Sequence, residues 1–561
     1  MTTPSPARPA PRPLGEALRL AWYGSPFYAL ALRAKPPGAF MAVAPDPWPG
    51  EPNHATSLLG GRLVAAGRSD DFNTQAWHRA ASDPAWLAAL HRFDWLRDLR
   101  DFGGADGATL AAAMVEDWMA ANQRWSAVSW RDDVIAARLA NWVRHYDFLA
   151  SGTTVPGAFA GRLVASLARQ RRHLERLLRG KLAGSRLLAA LKAAIIVDAA
   201  FLRAGPAHEK ALARDLERLA TQLPRVVLPD GAVADRNPAA QAAALRHLID
   251  IRTVLLSAER PAPTALQATI DRAAPMLRFF RHGDGGLALF NGADRGDPAL
   301  LDLILARSGD ITPAPLAAVQ GGFQRLSAGR ALALMDCGAP PAPGLDLGAH
   351  AGTLSVEFSV GAQRVFGNCG AYDGLVAEWR QAMRNTAAHA TAIIDDTNTS
   401  EVVDGGGLQY PAGNVVAART EQDGATWVEA SHEGYRTLYG VTHRRRLWLS
   451  GDGLDLRGED TLEGVDGRPI KATAQGRKFA IRFHLHHEVK ASLAQSGASA
   501  LLRLPSGEGW RVRASGATIG VSDTVWLGDG ERIRRAQQVS LVGGLGADGA
   551  KVKWAFTRVE G

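Results

Sequence analysis

Apolar residues between about residues 75 and 310 recur with the period of an α-helix. Leu187, Leu191 and Ile195, for example, stand four residues apart and therefore share one helix face. Glycine, proline and polar breakers separate these runs at 101–104, 151–152, 205–206 and 229–231. The pattern predicts helical hairpins that follow one another without strands between them.

The period changes to two after about residue 315. Leu354, Val356 and Phe358 alternate with Ser355 and Glu357, so the predicted strand has one apolar and one polar face. Similar alternation recurs at 447–449, 454–456, 481–485, 502–504 and 510–512. Many short strands separated by glycine-rich turns predict an antiparallel β-sandwich.

The chain has 561 residues, which is too long for a single core. We predict a multidomain α+β protein with a tail and lead-in segment over 1–35, a helical domain over 36–312 and a β-sandwich over 313–561. Residues 1–13 are rich in proline, alanine, serine and threonine, so they are predicted to be disordered.

Composition and charge narrow the choice of partner. The net charge of +8 suits a nucleic acid, a membrane surface or an acidic glycan, or it reflects free use of arginine in a GC-rich genome. No phosphate-binding loop, zinc finger or RNA-binding signature accompanies the charge, so a nucleic-acid partner is not expected. The two cysteines, Cys337 and Cys369, exclude a disulfide scaffold but leave a single bridge open.

No segment has the features of a membrane span or a secretory signal. The nearly apolar stretch 187–202 contains Lys192 and Asp198, so it is predicted to be a buried helix. The segment 14–33 is interrupted by charged residues and by Pro26. The sequence taken alone therefore predicts a cytoplasmic protein without a transmembrane segment.

Side chains suited to acid–base chemistry cluster between residues 350 and 398. His350 precedes a predicted strand, Asn368 and Arg384 follow along the chain, and His389 comes next. A neutral imidazole can accept a proton, and an arginine can hold a carboxylate. The alternative is that His350 caps a strand and that His389 is a hydrogen-bonded core histidine.

The order of short segments in this region resembles the C-terminal domain of heparinase II/III-like proteins. The segments are His-Ala-x-x-Leu-Ser-x-Glu-Phe from His350, Asn-Cys-Gly from Asn368, Arg-x-Thr-Ala-Ala-His from Arg384 and Asp-Asp-Thr-Asn from Asp395. Further segments similar to the family lie at 19–28, 138–142, 236–238, 277–287, 443–446 and 482–486. The resemblance therefore extends over most of the chain.

The resemblance implies that the helical domain is an incomplete (α/α) toroid joined to the β-sandwich. It also implies a carbon–oxygen lyase that cleaves an acidic polysaccharide beside a uronic acid by β-elimination, in the cell envelope or periplasm. In that reaction Asn, Arg, His or a metal neutralises the carboxylate, and a Tyr or His removes the neighbouring proton.

The chain departs from the family's pattern at three places. Ser185 stands where the lyases have an asparagine, and no tyrosine closely follows the Asp-Gly turn at 230–231. Asn368 stands where zinc-binding members have an aspartate together with two histidines, here His350 and His389. Since asparagine is a poor zinc ligand, a divalent metal is only an open alternative, and no other cofactor is expected.

These comparisons of residues lead to a set of candidate site residues. The candidates for catalysis are His350, His389, Asn237, Arg236 and His282. The candidates for substrate binding are Arg384, Arg281, Asn291 and Trp142.

Three functions are consistent with these residues. The first is a polysaccharide lyase whose substrate lies in a groove between the two domains. The second is a non-catalytic glycan-binding or envelope-assembly protein on a lyase scaffold, which the departures favour. The third is a glycoside hydrolase, which would need two facing carboxylates from Asp230, Asp235 or Asp284.

Two further clusters of charged or titratable residues are expected to be solvated. His484 and His486 share one side of a predicted strand, a spacing that can also hold a metal. Arg444, Arg445 and Arg446 are predicted to lie at a solvated sheet edge, where charge discourages aggregation.

Overall fold

The computed structural model describes residues 14–33, 36–38, 40–78, 83–374, 376–470, 476–530 and 532–559. The chain divides into two compact units, Met1–Gln222 with His247–Leu266 and Leu223–Arg246 with Gln267–Gly561. It passes from one unit to the other inside three helices. The segment predicted to be disordered, residues 1–13, lies outside the described residues.

Helices dominate the chain up to Ser308. They are α1 Leu14–Gly24, α2 Pro26–Ala31, α3 Pro52–Leu59, α4 Pro84–Arg92, α5 Leu96–Phe102, α6 Ala105–Ala121, α7 Asp132–Arg144, α8 Tyr146–Ser151, α9 Pro156–Leu178, α10 Gly184–Ala200, α11 Pro206–Val226, α12 Pro238–Ser257, α13 Thr264–Phe279 and α14 Pro298–Ser308. A short hairpin, β1 Arg62–Ala65 and β2 Arg68–Asp71, lies among them. The predicted breakers coincide with the ends of α5 and α8 and the start of α11, because glycine and proline stop or begin helices.

Helix α10 is the buried helix predicted from its apolar sequence. Almost all of its residues are buried, and its two buried charged side chains, Lys192 and Asp198, are paired within the same unit. Asp198 accepts from Arg171 at 2.8 Å, and Lys192 lies 3.6 Å from Asp250. In the part of the chain that the structure describes, no helix has both the length and the apolar character required to span a bilayer.

Strands are the main regular elements of the remaining chain. They are β3 Ala317–Ala318, β4 Phe323–Ala328, β5 Ala331–Asp336, β6 Val356–Val360, β7 Gln363–Gly367, β8 Ala392–Ile394, β9 Glu401–Val402, β10 Leu408–Gln409, β11 Val416–Gln422, β12 Ala425–Tyr435, β13 Val441–Leu449, β14 Asp455–Gly464, β15 Arg477–Leu485, β16 Lys490–Ala494, β17 Ser499–Arg503, β18 Gly509–Ser515, β19 Thr518–Trp526, β20 Arg534–Leu545 and β21 Ala550–Arg558. Two short helices, α15 Ala377–Arg384 and α16 Arg436–Tyr439, lie between strands.

Two antiparallel sheets form the sandwich. One has the order β11-β12-β13-β14-β21-β18-β17-β16, and the other has the order β19-β20-β15-β7-β6-β5-β4-β3 with β8 paired to β15. Their inner faces share one core, in which the ring centroids of Phe366 and Phe556 are 4.7 Å apart and those of Phe483 and Trp554 are 4.8 Å apart. Each such aromatic side chain contributes about 1.5–3 kcal/mol by burial. The predicted fold class, helices followed by an antiparallel β-sandwich, is confirmed.

The prediction that Arg444, Arg445 and Arg446 lie at a sheet edge is wrong, and the prediction that they are solvated fails for Arg445. Strand β13 lies between β12 and β14, and Arg445 is fully buried. Its Nε donates to Asp460 Oδ1 at 2.7 Å, and its Nη1 donates to the Ala390 carbonyl.

The two cysteines, Cys337 and Cys369, are buried and free, so no disulfide bridge forms between them.

Candidate functional site

His350 and His389 are neighbours in the sandwich. His350 lies in the loop before β6, and His389 follows a turn of 3₁₀ helix at Thr386–Ala388. Their ring centroids are 5.1 Å apart, and the ring planes meet at 59°. The two residues are only 5% and 1% exposed. The structure therefore brings the predicted pair together, but in the interior.

Among the described residues, the buried nitrogens His350 Nδ1 and His389 Nε2 have no hydrogen-bond partner. The other nitrogen of His389, Nδ1, lies 3.0 Å from Asn368 Oδ1. The Asn368 amide is oriented by the Ala390 N–H, which donates to Oδ1, and by Glu357, which accepts from Nδ2. His389 therefore carries its proton on Nδ1 and has a lone pair on Nε2.

Burial keeps both of these imidazoles neutral. It lowers the pKa of His389 to about 3. Burial, aided by the neighbouring His389 and Arg384, holds the pKa of His350 well below its usual range. A neutral ring at physiological pH can accept a proton, provided that its bare nitrogen meets a substrate.

Glu357 on β6 connects this pair to His282. Its Oε1 accepts from Asn368 Nδ2 at 3.1 Å and from the Leu289 N–H at 3.0 Å, while its Oε2 lies 3.0 Å from His282 Nε2. The remaining nitrogen of His282, Nδ1, is 2.8 Å from Ser359 Oγ. Burial lowers the pKa of His282. Because both of its ring nitrogens are engaged, His282 has no free nitrogen for a ligand.

Arg236 is held by protein acceptors. Its guanidinium forms an ion pair with Asp336 and donates to the carbonyls of Gly321 at 2.8 Å and Ala339 at 2.9 Å. Arg236 has a positive φ of 53°. The backbone bend that this φ creates is stabilised by Asn291, whose Nδ2 donates to the Arg236 carbonyl at 3.0 Å.

Asn237 and Asn291 also bind backbone groups. Asn237 Oδ1 accepts from the Ala240 N–H at 3.0 Å and so caps the start of α12. Its Nδ2 donates to the Asn291 carbonyl at 2.8 Å. The Asn291 Oδ1 in turn lies 3.5 Å from the His350 backbone nitrogen. These two asparagines connect the turn before α12 to the loop that carries His350.

The two arginines predicted to bind substrate act as backbone clamps. Arg384 donates to the carbonyls of Ala349 at 3.1 Å, Val403 at 2.9 Å and Gly407 at 2.8 Å. Arg281 donates to the Gly285 carbonyl at 2.8 Å and to Asp302 at 2.7 Å. Their guanidinium groups are thus already bound by acceptors within the protein.

Trp142 lies in the helical unit and is 0% exposed. Its ring packs against Phe93 at 5.2 Å and Trp118 at 5.1 Å between centroids. The prediction that it binds substrate is corrected, because neither face of the ring is available to a ligand.

His484 also differs from the expectation of a solvated strand face. It is buried, with Nδ1 at 3.0 Å from Thr524 Oγ1 and Nε2 at 3.0 Å from the Ala387 carbonyl. His486 lies just beyond the end of β15, where its ring contacts Trp526 at 4.8 Å between centroids.

Comparison with known proteins relates this arrangement to a family. Residues 310–555 match the sequence profile described as heparinase II/III-like, C-terminal. FtsZ-localized protein C of Caulobacter vibrioides is 32% identical over 566 aligned positions, which cover 96% of this chain and 94% of that protein. This chain belongs to the heparinase II/III-like family.

Solved structures with the heparinase fold align over almost the whole chain. Heparinase III superposes with a TM-score of 0.73 at 13% identity, covering 98% of this chain and 91% of that one. Heparan sulfate lyase HepC from Pedobacter heparinus superposes with a TM-score of 0.59 at 15% identity, covering 97% and 88%. The chain therefore has a polysaccharide lyase scaffold.

The zinc set of some heparinase II/III-like proteins does not fit the residues present here. The Asn368 amide offers no charge, and its oxygen is already occupied by the Ala390 N–H and the His389 Nδ1–H. The nitrogen of His389 that faces Asn368 is protonated and cannot bind a cation.

Another cluster with metal-ligand chemistry lies at the end of β15. The ligand atoms of His486, His487 and Glu488 lie within 4.8 Å of one another. However, His487 Nε2 lies 3.2 Å from Arg534 Nη1, and a guanidinium so close to the cluster opposes cation binding.

The main residue that sequence reasoning missed is Glu357, which joins His282 to the Asn368–His389 pair. All of strand β6 is buried, so the polar face predicted for this strand is directed into the protein. A carboxylate flanked by serines in an otherwise apolar strand was the available signal.

Asp284, a candidate for hydrolase chemistry, is paired with Arg364. Burial raises the pKa of Asp284, but the Arg364 guanidinium at 2.9 Å outweighs this and holds the pKa at about 2.

Proposed function

We propose that this chain is a non-catalytic envelope-assembly protein that binds an acidic saccharide on a polysaccharide lyase scaffold. The observation that carries the proposal is the state of the two arginines that would neutralise a uronate carboxylate. Arg236 is held by Asp336 and by backbone carbonyls, and Arg384 is held by three carbonyls.

Occupied arginines matter because β-elimination depends on charge neutralisation. The proton beside the carboxylate is very weakly acidic until donors hold the charge that develops there. Releasing Arg236 would leave Asp336, which is 3% exposed, without its partner. Breaking such a buried pair costs about 3–5 kcal/mol, which opposes recruitment of this arginine by a substrate.

The departures from the lyase pattern support the same conclusion. Ser185, at the start of α10, replaces the asparagine expected of a lyase, and the turn at 230–231 lacks the following tyrosine. The chain therefore lacks the asparagine and the tyrosine at the two positions where the lyases carry them.

The relatedness to FtsZ-localized protein C supports a location shared with FtsZ. The similarity covers 96% of this chain, so it is not confined to one domain. We expect this chain to localise with FtsZ as well. Co-sedimentation of the purified chain with FtsZ filaments tests this directly, and a chain that stays in the supernatant at every FtsZ concentration would contradict it.

Catalysis is tested separately from binding. The folded full-length chain is incubated with heparan sulfate, polygalacturonate and alginate, and the ultraviolet absorbance of an unsaturated sugar product is followed. We expect saturable binding to at least one acidic polymer and no product from any of them. Product formation would contradict the proposal that the chain is non-catalytic.

One observation favours lyase activity as a second candidate function. His389 Nε2 and His350 Nδ1 lack partners among the described residues, and both rings are neutral. Buried polar atoms without partners are rare and often mark functional groups. If product forms, it should be abolished in both His350→Ala and His389→Ala and kept in His208→Gln, a control outside the sandwich.

A further inference from the structure

A row of side chains crosses the outer face of the eight-stranded sheet. Cross-strand pairing aligns Trp427 with Trp448, Trp448 with Arg457, Arg457 with Ala555, and Ala555 with Arg513. Directly paired residues have side chains on the same side of a sheet. These five residues therefore form a continuous strip, here called the tryptophan strip.

The aromatic end of the tryptophan strip is open to solvent. Trp427 is 45% exposed, and its ring centroid lies 5.9 Å from that of Trp448, with the planes at 51°. The guanidinium carbon of Arg457 lies 4.9 Å from the centre of the Trp448 ring. Arg457 therefore packs on Trp448, and Trp448 packs on Trp427. The Trp427 ring is thus held by its neighbour while remaining exposed to solvent.

The cationic end adjoins a depression of about 750 Å³. Arg446, Arg457, Arg513 and Lys553 line it, and Glu459 is the carboxylate in the lining. Glu459 is already shared between Lys551 at 3.3 Å and Lys553 at 3.7 Å. Arg513 is exposed and forms no ion pair within the described ranges of the chain.

The size of one side chain creates space for a ligand. Ala555 lies between Arg457 and Arg513 in the strip, so no long side chain fills the gap between the two guanidinium groups. A planar carboxylate matches the hydrogen-bonding fork of a guanidinium.

We propose that the tryptophan strip binds an anionic oligosaccharide, with the apolar face of one sugar ring on Trp427 and a uronate carboxylate on Arg513. This inference rests on the acidic-saccharide ligand of the proposed function and identifies the surface that holds it. The strip is distinct from the histidine pair, which is buried.

The position of the strip favours a saccharide over an acidic peptide. Both neighbours of β13 and of β14 are paired strands, so the backbone there has no free edge for an added peptide strand. Only side chains are available, and stacking on an indole together with an arginine–carboxylate pair needs nothing else. Charge complementarity selects an anionic saccharide over a neutral one.

The test measures binding of a defined oligogalacturonate to the full-length chain by isothermal titration calorimetry. Neutral maltohexaose and a polyglutamate peptide serve as comparison ligands. We expect oligogalacturonate alone to bind, with affinity reduced about tenfold or more in both Trp427→Ala and Arg513→Ala. The matched control is Arg535→Ala, which removes an exposed arginine from the other sheet and should bind like the parent chain.

The outcomes separate this inference from the proposed function. If the parent binds oligogalacturonate and the Trp427 and Arg513 variants bind equally well, the strip is refuted while saccharide binding stands. If polyglutamate binds at the strip as tightly as oligogalacturonate, the occupant is a peptide and the inference is wrong. If the parent binds no acidic saccharide at all, the proposed function fails and the inference fails with it.

Discussion

Acid should destabilise this protein because three of its histidines are buried and uncharged in the folded state. His91, His173 and His389 are 4%, 0% and 1% exposed, and burial lowers the pKa of each to about 3. In the unfolded chain a histidine has a pKa of about 6.5. The unfolded chain therefore binds more protons than the folded chain between about pH 6.5 and pH 3, and stability falls as the pH falls through this window.

The magnitude follows from the same shift. At pH 5 each histidine that stays neutral in the folded state removes about 2 kcal/mol, since 1.5 pH units correspond to about 2 kcal/mol. Three such residues remove about 6 kcal/mol, which is comparable to the whole stability of a typical domain.

The assay is urea denaturation of the full chain at pH 7 and at pH 5. The readout is the difference between the two unfolding free energies, so that a general loss of stability in a variant cancels. His389→Gln should reduce this difference by about 2 kcal/mol. Leu447→Ala, which removes buried apolar atoms and no titratable group, should leave it unchanged. A parent chain that loses less than about 1 kcal/mol between pH 7 and pH 5 would refute the reasoning.

Three further predictions concern buried contacts. Arg445→Met should destabilise the sandwich by about 3–5 kcal/mol in urea titrations, because Asp460 would lose a fully buried partner; a loss below about 1 kcal/mol would contradict this. Glu357→Ala should lower the unfolding free energy by several kcal/mol, on the order of 1–3 kcal/mol for each buried donor left without an acceptor. Glu357→Gln should lose less than half as much, and equal losses in the two variants would show that the network is unimportant. Gly231→Ala should lower the free energy of unfolding by about 3 kcal/mol and so lower the thermal midpoint. The reason is that φ is +89° and that the added Cβ would lie 1.9 Å from the Arg272 carbonyl oxygen. An unchanged midpoint would mean that the turn shifts freely.

The position of the candidate site could be predicted only in part. The segments at His350 and His389 pointed to two residues whose rings do meet. Their burial, and the carbonyls that occupy Arg384, depend on loops that come together from distant parts of the chain. Arg384 and Gly407, for example, are 23 residues apart, and their contact leaves no mark on either local sequence.

The sequence by itself determined which parts of the chain are helices and which are strands. Apolar periods of 3.6 and 2 are local properties, because the face of a helix or strand on which a side chain lies depends only on its position along that element. Only the tertiary structure decided which groups surround the polar residues. Glu357 and Arg445 occur in patterns typical of solvated faces, yet both are buried, since His282 and Asp460 come from other elements, 75 and 15 residues away, to pair with them. A charged side chain is stable in either setting when its partner is present, and the identity of that partner is a property of the packed fold.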